Sequence, residues 1–230
     1  MKQKDFSTRI IVGITGNKNI HWQTKLKEIK KHKISEVALF LECFTKNQRQ
    51  QIYQALLESN IKSIPLVHIR NDMSKDELKF LIKHFGSKYF TIHEDSFNIL
   101  EKWKGYYNKL FLEMNTDDFV SKIVEVEKIG GFCVDLSHFK KQNESWTAEF
   151  DYVNKKRKRK NLFACNHLNG YSYKKNIDLH TIKNLSNFDY LKTLPEFLFG
   201  DIIGLECNNS ITQQLKFKKY LIKMFNKIYK

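Results

Sequence analysis

The stretch SIPLVHIRNDMSKDELKFLIKHFGSKYFTIHED, Ser63 to Asp95, reads as strand, helix, strand. Its two ends, SIPLVHIR and KYFTIHE, are short runs rich in Ile, Val, Leu and Phe, the composition of strands covered on both faces. Between them Ser74 can cap a helix that carries Asp76 and Glu77 in its first turn and stops at Gly86. A helix between two such strands is the unit that makes neighbouring strands parallel. Each of these strands ends on a histidine, His68 and His93.

Working outward, the same unit recurs. Further strand-like runs are IIVGITG from Ile10, EVALFLE from Glu36, KLFLEMN from Lys109, GFCVDLSHF from Gly131, LFACNHLNG from Leu162 and DIIGLECNN from Asp201. Eight runs in all is the strand number of a (β/α)8 TIM barrel. Helix signals fill most spacers: Thr45 before KNQRQQIYQALLESN, Thr116 before DDFVSKIVEVEKIGG with acids first and glycine last, and a basic amphipathic stretch from about Ile211 to Lys230 that would close the ring. An open doubly wound sheet is the competing architecture, but GITGNK near Gly13 is not the GxGxxG turn such a sheet uses. The expectation is an α/β chain forming one TIM-barrel domain over residues 1–230, with its site at the C-terminal rim of the strands.

The beginning, MKQKDFSTRI, is charged, and no apolar run reaches the length of a membrane span. Cys43, Cys133, Cys165 and Cys207 form no CxxC pair, so a reducing, cytoplasmic setting is expected. The formal charge of +15 invites a polyanion, and DNA is one possible partner. Yet only five of the 40 basic residues are arginine, the better bidentate phosphate reader. The run KKRKRK, Lys155 to Lys160, immediately precedes a strand, which puts it at the N-terminal face as the solvated end of a helix.

Chemistry gathers at the strand ends. His68, His93, His138, His167 and His180 fall at or just after apolar runs, joined by Glu113, Asp135, Asp178 and Glu206. One strand-end histidine is an ordinary polar residue; an ordered series of imidazoles and carboxylates on one rim suits divalent metals. Asp135 and His138 form a DxxH, and Asp178 and His180, one residue apart, would project to the same side of an extended segment. Glu42 ends the second run and reads either as a substrate contact or as a solvent-facing acid. Asn115, Asn169 and Asn208 sit close enough to orient ligands. Tyr171 and Tyr173, beside Lys174 and Lys175, are the aromatics most expected to be exposed, and read either as a surface that stacks on a base or sugar and meets a phosphate or as loop packing. His21, His32 and His84 lie in helical stretches, and Trp22, Trp103 and Trp146 read as packing residues or partial surface anchors.

The series His68, His93, Glu113, Asp135-x-x-His138, His167-Leu-Asn, Asp178-x-His180, Glu206 resembles endonuclease IV (AP endonuclease family 2), within the xylose isomerase-like TIM-barrel superfamily. FTKNQRQ, Phe44 to Gln50, also looks like that family's early segment, and reads equally as a helix start. The resemblance implies up to three zinc ions: one on His68, His93 and Glu113; one on Glu113, Asp135, His167 and Glu206; one on His138, Asp178 and His180. It implies hydrolysis of a phosphodiester in abasic DNA by metal-activated hydroxide, with Glu113 and Glu206 at the reacting centre. Sugar or sugar-phosphate isomerases and epimerases of the same superfamily are the alternative. They hold one ion, often manganese or magnesium, with residues matching Glu113, Asp135, His167 and Glu206, and the two glutamates move a proton. Arg70, with His68 and His93, would then bind sugar hydroxyls or a phosphate, and Tyr171 and Lys174 complete the substrate-binding expectation. A non-enzymatic metal-binding or nucleic-acid-binding barrel is the third possibility.

Overall fold

The first apolar run folds as two pieces, β1 (Ile10–Ile11) and β2 (Gly13–Ile14), interrupted at Val12. The computed structural model describes residues 5–16 and 21–229, so Asn17 and Lys18 of GITGNK lie outside the described residues. The other runs give β3 (Ala38–Phe40), β4 (Leu66–His68), β5 (Tyr89–Ile92), β6 (Leu110–Leu112), β7 (Gly131–Asp135) and β8 (Phe163–Leu168). After β8 comes an antiparallel hairpin, β9 (Gly170–Ser172) and β10 (Ile177–Leu179), followed by the last barrel strand, β11 (Ile202–Leu205). The parallel order is β1-β11-β8-β7-β6-β5-β4-β3-β2. Because β1 and β2 are consecutive pieces of one chain, Ile10 pairing with Ile203 and Gly13 with Ala38 closes the sheet into an eight-membered ring, a TIM barrel.

The period of two along each strand sorts the side chains. Ile11, Ala38, Phe40, Leu66, Phe111, Cys133 and Cys165 form a cluster inside the ring, separate from the larger core between strands and helices that holds Ile10, Leu39, Val67, Phe90, Leu112 and Phe132. Phe40 needs room at the axis, and two glycines supply it. A Cβ on Gly13 would meet the Phe40 ring at 2.6 Å, and one on Gly204 would meet Ala38 and Leu66 at 2.9 Å.

Two of the three helices expected from their caps, those after Thr45 and Ser74, form as predicted. Capping boxes open α3 (Lys46–Leu57) at Thr45 and Gln48, α4 (Lys75–Phe85) at Ser74 and Glu77, and α7 (Ile211–Ile228) at Ser210 and Gln213. They follow α1 (Phe6–Arg9) and α2 (Trp22–Lys31), and α5 (Leu136–Ser145) and α6 (Ala148–Lys155) lie between β7 and β8. Arg49 of the FTKNQRQ segment is fully buried and pairs with Glu77 at 2.8 Å and Asp72 at 3.2 Å, tying α3 to α4. It is therefore a structural cation, closed to any polyanion.

The helix expected after Thr116 does not form. Residues 116–125 are turns and bends, with a single 3-10 turn at Val126–Lys128. Fully buried Glu149 accepts from the backbone N–H groups of Asp117 and Asp118 at 2.9 and 2.8 Å, and Asp118 takes a positive φ of 59°. Those amides satisfy a carboxylate on α6 instead of opening a helix, and the acids that looked like a first turn are turn formers. The KKRKRK run lies where expected, from the end of α6 to the start of β8, with Lys156 and Arg159 paired to Glu127. Among the described residues no helix is long and apolar enough to cross a membrane.

Where the ring closes, the turn after β11 is knotted to the first strand. The Cys207 carbonyl accepts from Thr15 Oγ1 at 3.0 Å, from buried Lys25 Nζ at 2.6 Å and from Gln214 Nε2 at 3.2 Å. Gln214 also brackets Gly13, accepting from its N–H at 2.7 Å and donating to its carbonyl at 3.1 Å. This seam is adjacent in sequence to Glu206.

Candidate metal centre

One more step of two residues along the inward row converts the inner apolar layer into polar chemistry. Leu66 is followed by His68, Phe111 by Glu113, Cys133 by Asp135, Cys165 by His167, Gly204 by Glu206 and Phe40 by Glu42. The strands thus deliver these groups to one basin at the C-terminal rim. Donor atoms of Glu113, Asp135, His167 and Glu206 lie within 4.8 Å of one another, as do those of His68, His93 and Glu113, and of His68, His167 and Glu206. Ligands held at roughly 2.0–2.3 Å from an ion span no more than about 4.6 Å, so these spacings suit one.

The distances share a pattern. His167 Nδ1 lies 2.9 Å from Glu113 Oε2 and 3.4 Å from Glu206 Oε2, and His68 Nε2 lies 3.8 Å from Glu113 Oε2. None of these nitrogens has a hydrogen bond, nor does Glu113 Oε2 or His93 Nδ1. Buried polar atoms left unpaired and facing one another are costly unless a further group completes them. A cation fits: the donors are imidazole and carboxylate, the set a borderline divalent ion accepts.

Protonation follows from burial. Desolvation pushes the His68 and His93 imidazoles below their usual range, which keeps them neutral as ligation requires. Burial also pushes Glu113 up, but His167 overcomes it and holds the carboxylate well below the usual range. Glu206 is pushed up to about 7 by burial, opposed by His167 and assisted by the Glu113 charge. Burial works against a charged His167 as well, yet Cys133 and the two glutamates carry it well above the usual imidazole range.

Supporting groups fix the ligands. Thr91 sits on the inward face of β5, fully buried, with Oγ1 at 3.1 Å from His167 Nε2. A proton on Nε2 donated to Thr91 leaves the Nδ1 lone pair for the basin. Asp135 caps α5, its Oδ1 accepting from the Ser137 and His138 amides at 2.8 and 2.9 Å, so Oδ2 is the atom turned to the site. Asn169 donates to that Oδ2 at 3.0 Å, as its position in the sequence suggested. The main chain of Asn115 is instead engaged by Glu94 and Gln142, and Asn208 meets Thr15. Thr91 was missed in the sequence; the only signal was its place two residues before His93. Thr91→Val is expected to weaken metal binding by roughly 10–100-fold, measured by competition with a chromophoric chelator. Unchanged affinity would show that Thr91 does not orient His167.

The remaining candidates divide. His138 Nδ1 approaches Glu113 Oε1 at 3.5 Å and Asp135 Oδ2 at 4.0 Å, so it joins the main basin. Asp178 and His180 stand together at 3.3 Å on and beside β10, and His180 Nδ1 meets the Glu206 carbonyl at 3.2 Å. His138, Asp178 and His180 do not make a third convergent donor group among the described residues. Hydrogen bonding to His180 lowers Asp178 to about 2, and the same contact outweighs burial to raise His180 to about 10. Tyr171 is only 2 % exposed and donates to Asn176, which corrects its expected exposure: it forms the packed side of the hairpin, while Tyr173 is exposed. Lys174, in the hairpin turn, is not on the cavity wall. Arg70 spends its guanidinium on the Glu42 carbonyl and on Asp72 at 3.1 Å. Trp103 is buried, whereas Trp146 is 73 % exposed.

The basin opens into a cavity of about 330 Å³ bounded by Thr15, Glu42, His68, Glu113, His138 and Glu206, among others. No protein-family model matches the sequence, and no curated protein does. Among solved structures, the fold is similar to the crystal structure of a D-tagatose 3-epimerase-like protein, with a TM-score of 0.53 and 13 % identity over 95 % of this chain and 98 % of that one. The (β/α)8 architecture is thereby shared from end to end.

Proposed function

We propose that this chain is a divalent-metal-dependent sugar epimerase or isomerase. The observation that carries the reading is the pair Glu113 and Glu206, which face one rim cavity and flank His167 Nδ1 at 2.9 and 3.4 Å. Two carboxyl groups facing one cavity can act as base and acid in a single proton transfer. One glutamate takes a proton from the carbon beside a carbonyl and the other returns one, inverting the centre or shifting the carbonyl. Glu113, Asp135, His167 and Glu206 would hold a divalent ion, which would supply polarisation of the substrate's carbonyl and hydroxyl oxygens. Thr91 and Asn169 keep His167 and Asp135 aimed. A cavity of about 330 Å³ is at the lower end of small-molecule sites, the size for a monosaccharide. The epimerase-like fold neighbour agrees with this reading.

A second reading, phosphodiester hydrolysis, is favoured by one observation: His68, His93 and Glu113 form a separate donor group that shares Glu113 with the first. Two ions bridged in this way are a familiar arrangement for phosphoryl chemistry. The deciding experiment incubates manganese-loaded protein with a panel of ketohexoses and aldohexoses in D2O, read by NMR. New epimer or isomer carrying deuterium at the reacting carbon is expected. No exchange on any sugar, together with nicking of an abasic duplex, would transfer the assignment to the hydrolase.

A further inference from the structure

We propose that the flank formed by α2 and α7 binds the phosphate backbone of duplex nucleic acid without reading its sequence. In 28 residues the two helices hold nine lysines and one acid, a net +8 of the chain's +15. On α7, Lys216, Lys219, Lys223 and Lys227 recur every three or four residues and are all exposed. They form one stripe about 16 Å long, on the side of the helix away from buried Phe217, Leu221 and Phe225. On α2, Lys27, Lys30 and Lys31 are exposed, while Lys25 is turned inward to Thr15 and the Cys207 carbonyl. The helices meet where α2 ends: His32 Nε2 lies 2.9 Å from Thr212 Oγ1 of α7. Glu28, the one acid, is engaged in that joint, its Oε2 accepting from the Thr212 N–H at 3.0 Å.

Elsewhere on the surface lysines face carboxylates. Lys79 pairs with Asp76, Lys128 with Glu125, Lys155 with Asp151 and Lys192 with Asp189. Among the described residues none of the seven exposed lysines on α2 and α7 has such a pair. Like charges gathered on one flank hold counterions, and a polyphosphate that releases those ions is the complementary partner. Lysine is a point charge on a flexible stem, which suits contact with a backbone better than recognition of a base. Exposed Gln23, Thr24 and Asn226 stand among the lysines and offer hydrogen bonds to phosphate or sugar oxygens. An anionic bilayer is the poorer match. Stable attachment there takes an apolar insertion or a lipid chain beside the charge. The apolar side of α7 is already packed on the barrel, with Phe225 stacked on Phe6 at 4.5 Å. The flank is part of the outer wall of the ring, apart from the rim that holds Glu113 and Glu206, and the proposal does not depend on the epimerase reading.

The test follows a fluorescein-labelled DNA duplex by anisotropy over a salt series with three proteins. They are wild type, the stripe variant Lys216→Gln/Lys219→Gln/Lys223→Gln/Lys227→Gln, and a control that removes as many charges from the KKRKRK run, Lys155→Gln/Lys156→Gln/Lys158→Gln/Lys160→Gln. Wild type is expected to bind, with log K falling linearly with log salt and unaltered by a change of base sequence. The stripe variant is expected to lose at least about tenfold in affinity at low salt and to flatten the slope by about 3 to 4, since each phosphate contact contributes about 0.9. The control is expected to lose less than about threefold and to keep its slope. Melting temperatures verify folding, and Lys27→Gln/Lys30→Gln/Lys31→Gln supplies a second measurement if the stripe variant does not fold. No binding by wild type, equal losses in the stripe variant and the control, a larger loss in the control, or sedimentation with phosphatidylcholine–phosphatidylserine vesicles in place of duplex binding overturns the proposal.

Discussion

Glu206→Gln is expected to lower kcat for epimerisation by roughly 10²–10⁴-fold, the range that a positioned acid or base contributes. The amide retains the shape and one ligating oxygen but cannot deliver a proton. The argument rests on placement: Glu206 follows inward-facing Gly204 on β11, is buried, and its Oε2 lies 3.4 Å from His167 Nδ1. Glu113→Gln is expected to be at least as damaging, because Glu113 belongs to two donor groups and its loss removes both base and ligand. A split in deuterium exchange identifies which face each glutamate serves. Exchange without epimer in Glu206→Gln means that Glu113 still abstracts and Glu206 returns the proton from the other side. Full activity in Glu206→Gln would remove it from the chemistry.

Metal removal is the second large effect. His68, His93, Glu113 and His167 each keep a buried donor atom without a hydrogen bond, so an ion that takes up those atoms would contribute folding free energy by binding only the native barrel. At free metal of about 100 to 1,000 times Kd this amounts to about 2.7–4.1 kcal/mol, or roughly 5–15 °C in Tm for a chain of this size. Treatment with chelator followed by thermal melting measures it, and elemental analysis beforehand counts the ions. One ion per chain fits the epimerase; two or three fit the hydrolase; none, with an unchanged Tm, would sink the metal centre. The shift should shrink as pH falls, because His167 and Glu206, both raised, take up protons that the ion must displace.

The barrel was legible because strand composition and strand count are local properties. SIPLVHIR, KYFTIHE and GFCVDLSHF carry their apolar period regardless of what they pack against, and Thr45, Ser74 and Ser210 cap helices with residues three positions away. The Thr116 segment was misread because its fate is decided by Glu149, more than thirty residues on, whose carboxylate no local pattern reveals. The site divides along the same line. The residues His68, Glu113, Asp135, His167 and Glu206 could be named from strand ends, since the period of two fixes their direction once the barrel is granted. Thr91 depends on β5 lying three places round the ring from β8, and Tyr171 on a hairpin in which it pairs with Asp178. Those are relations between distant segments.

The seam at Cys207 has a consequence for how the protein ages and fails. The carbonyl that gathers Thr15, Lys25 and Gln214 is one residue from Glu206, so the join that makes the ring a ring is also the mounting of the group proposed to move protons. Opening of the short first strand would release that mounting. Amide exchange at Gly13 and Ile14 is therefore expected to rise together with the loss of activity on heating, and activity lost while those amides stay protected would separate the two.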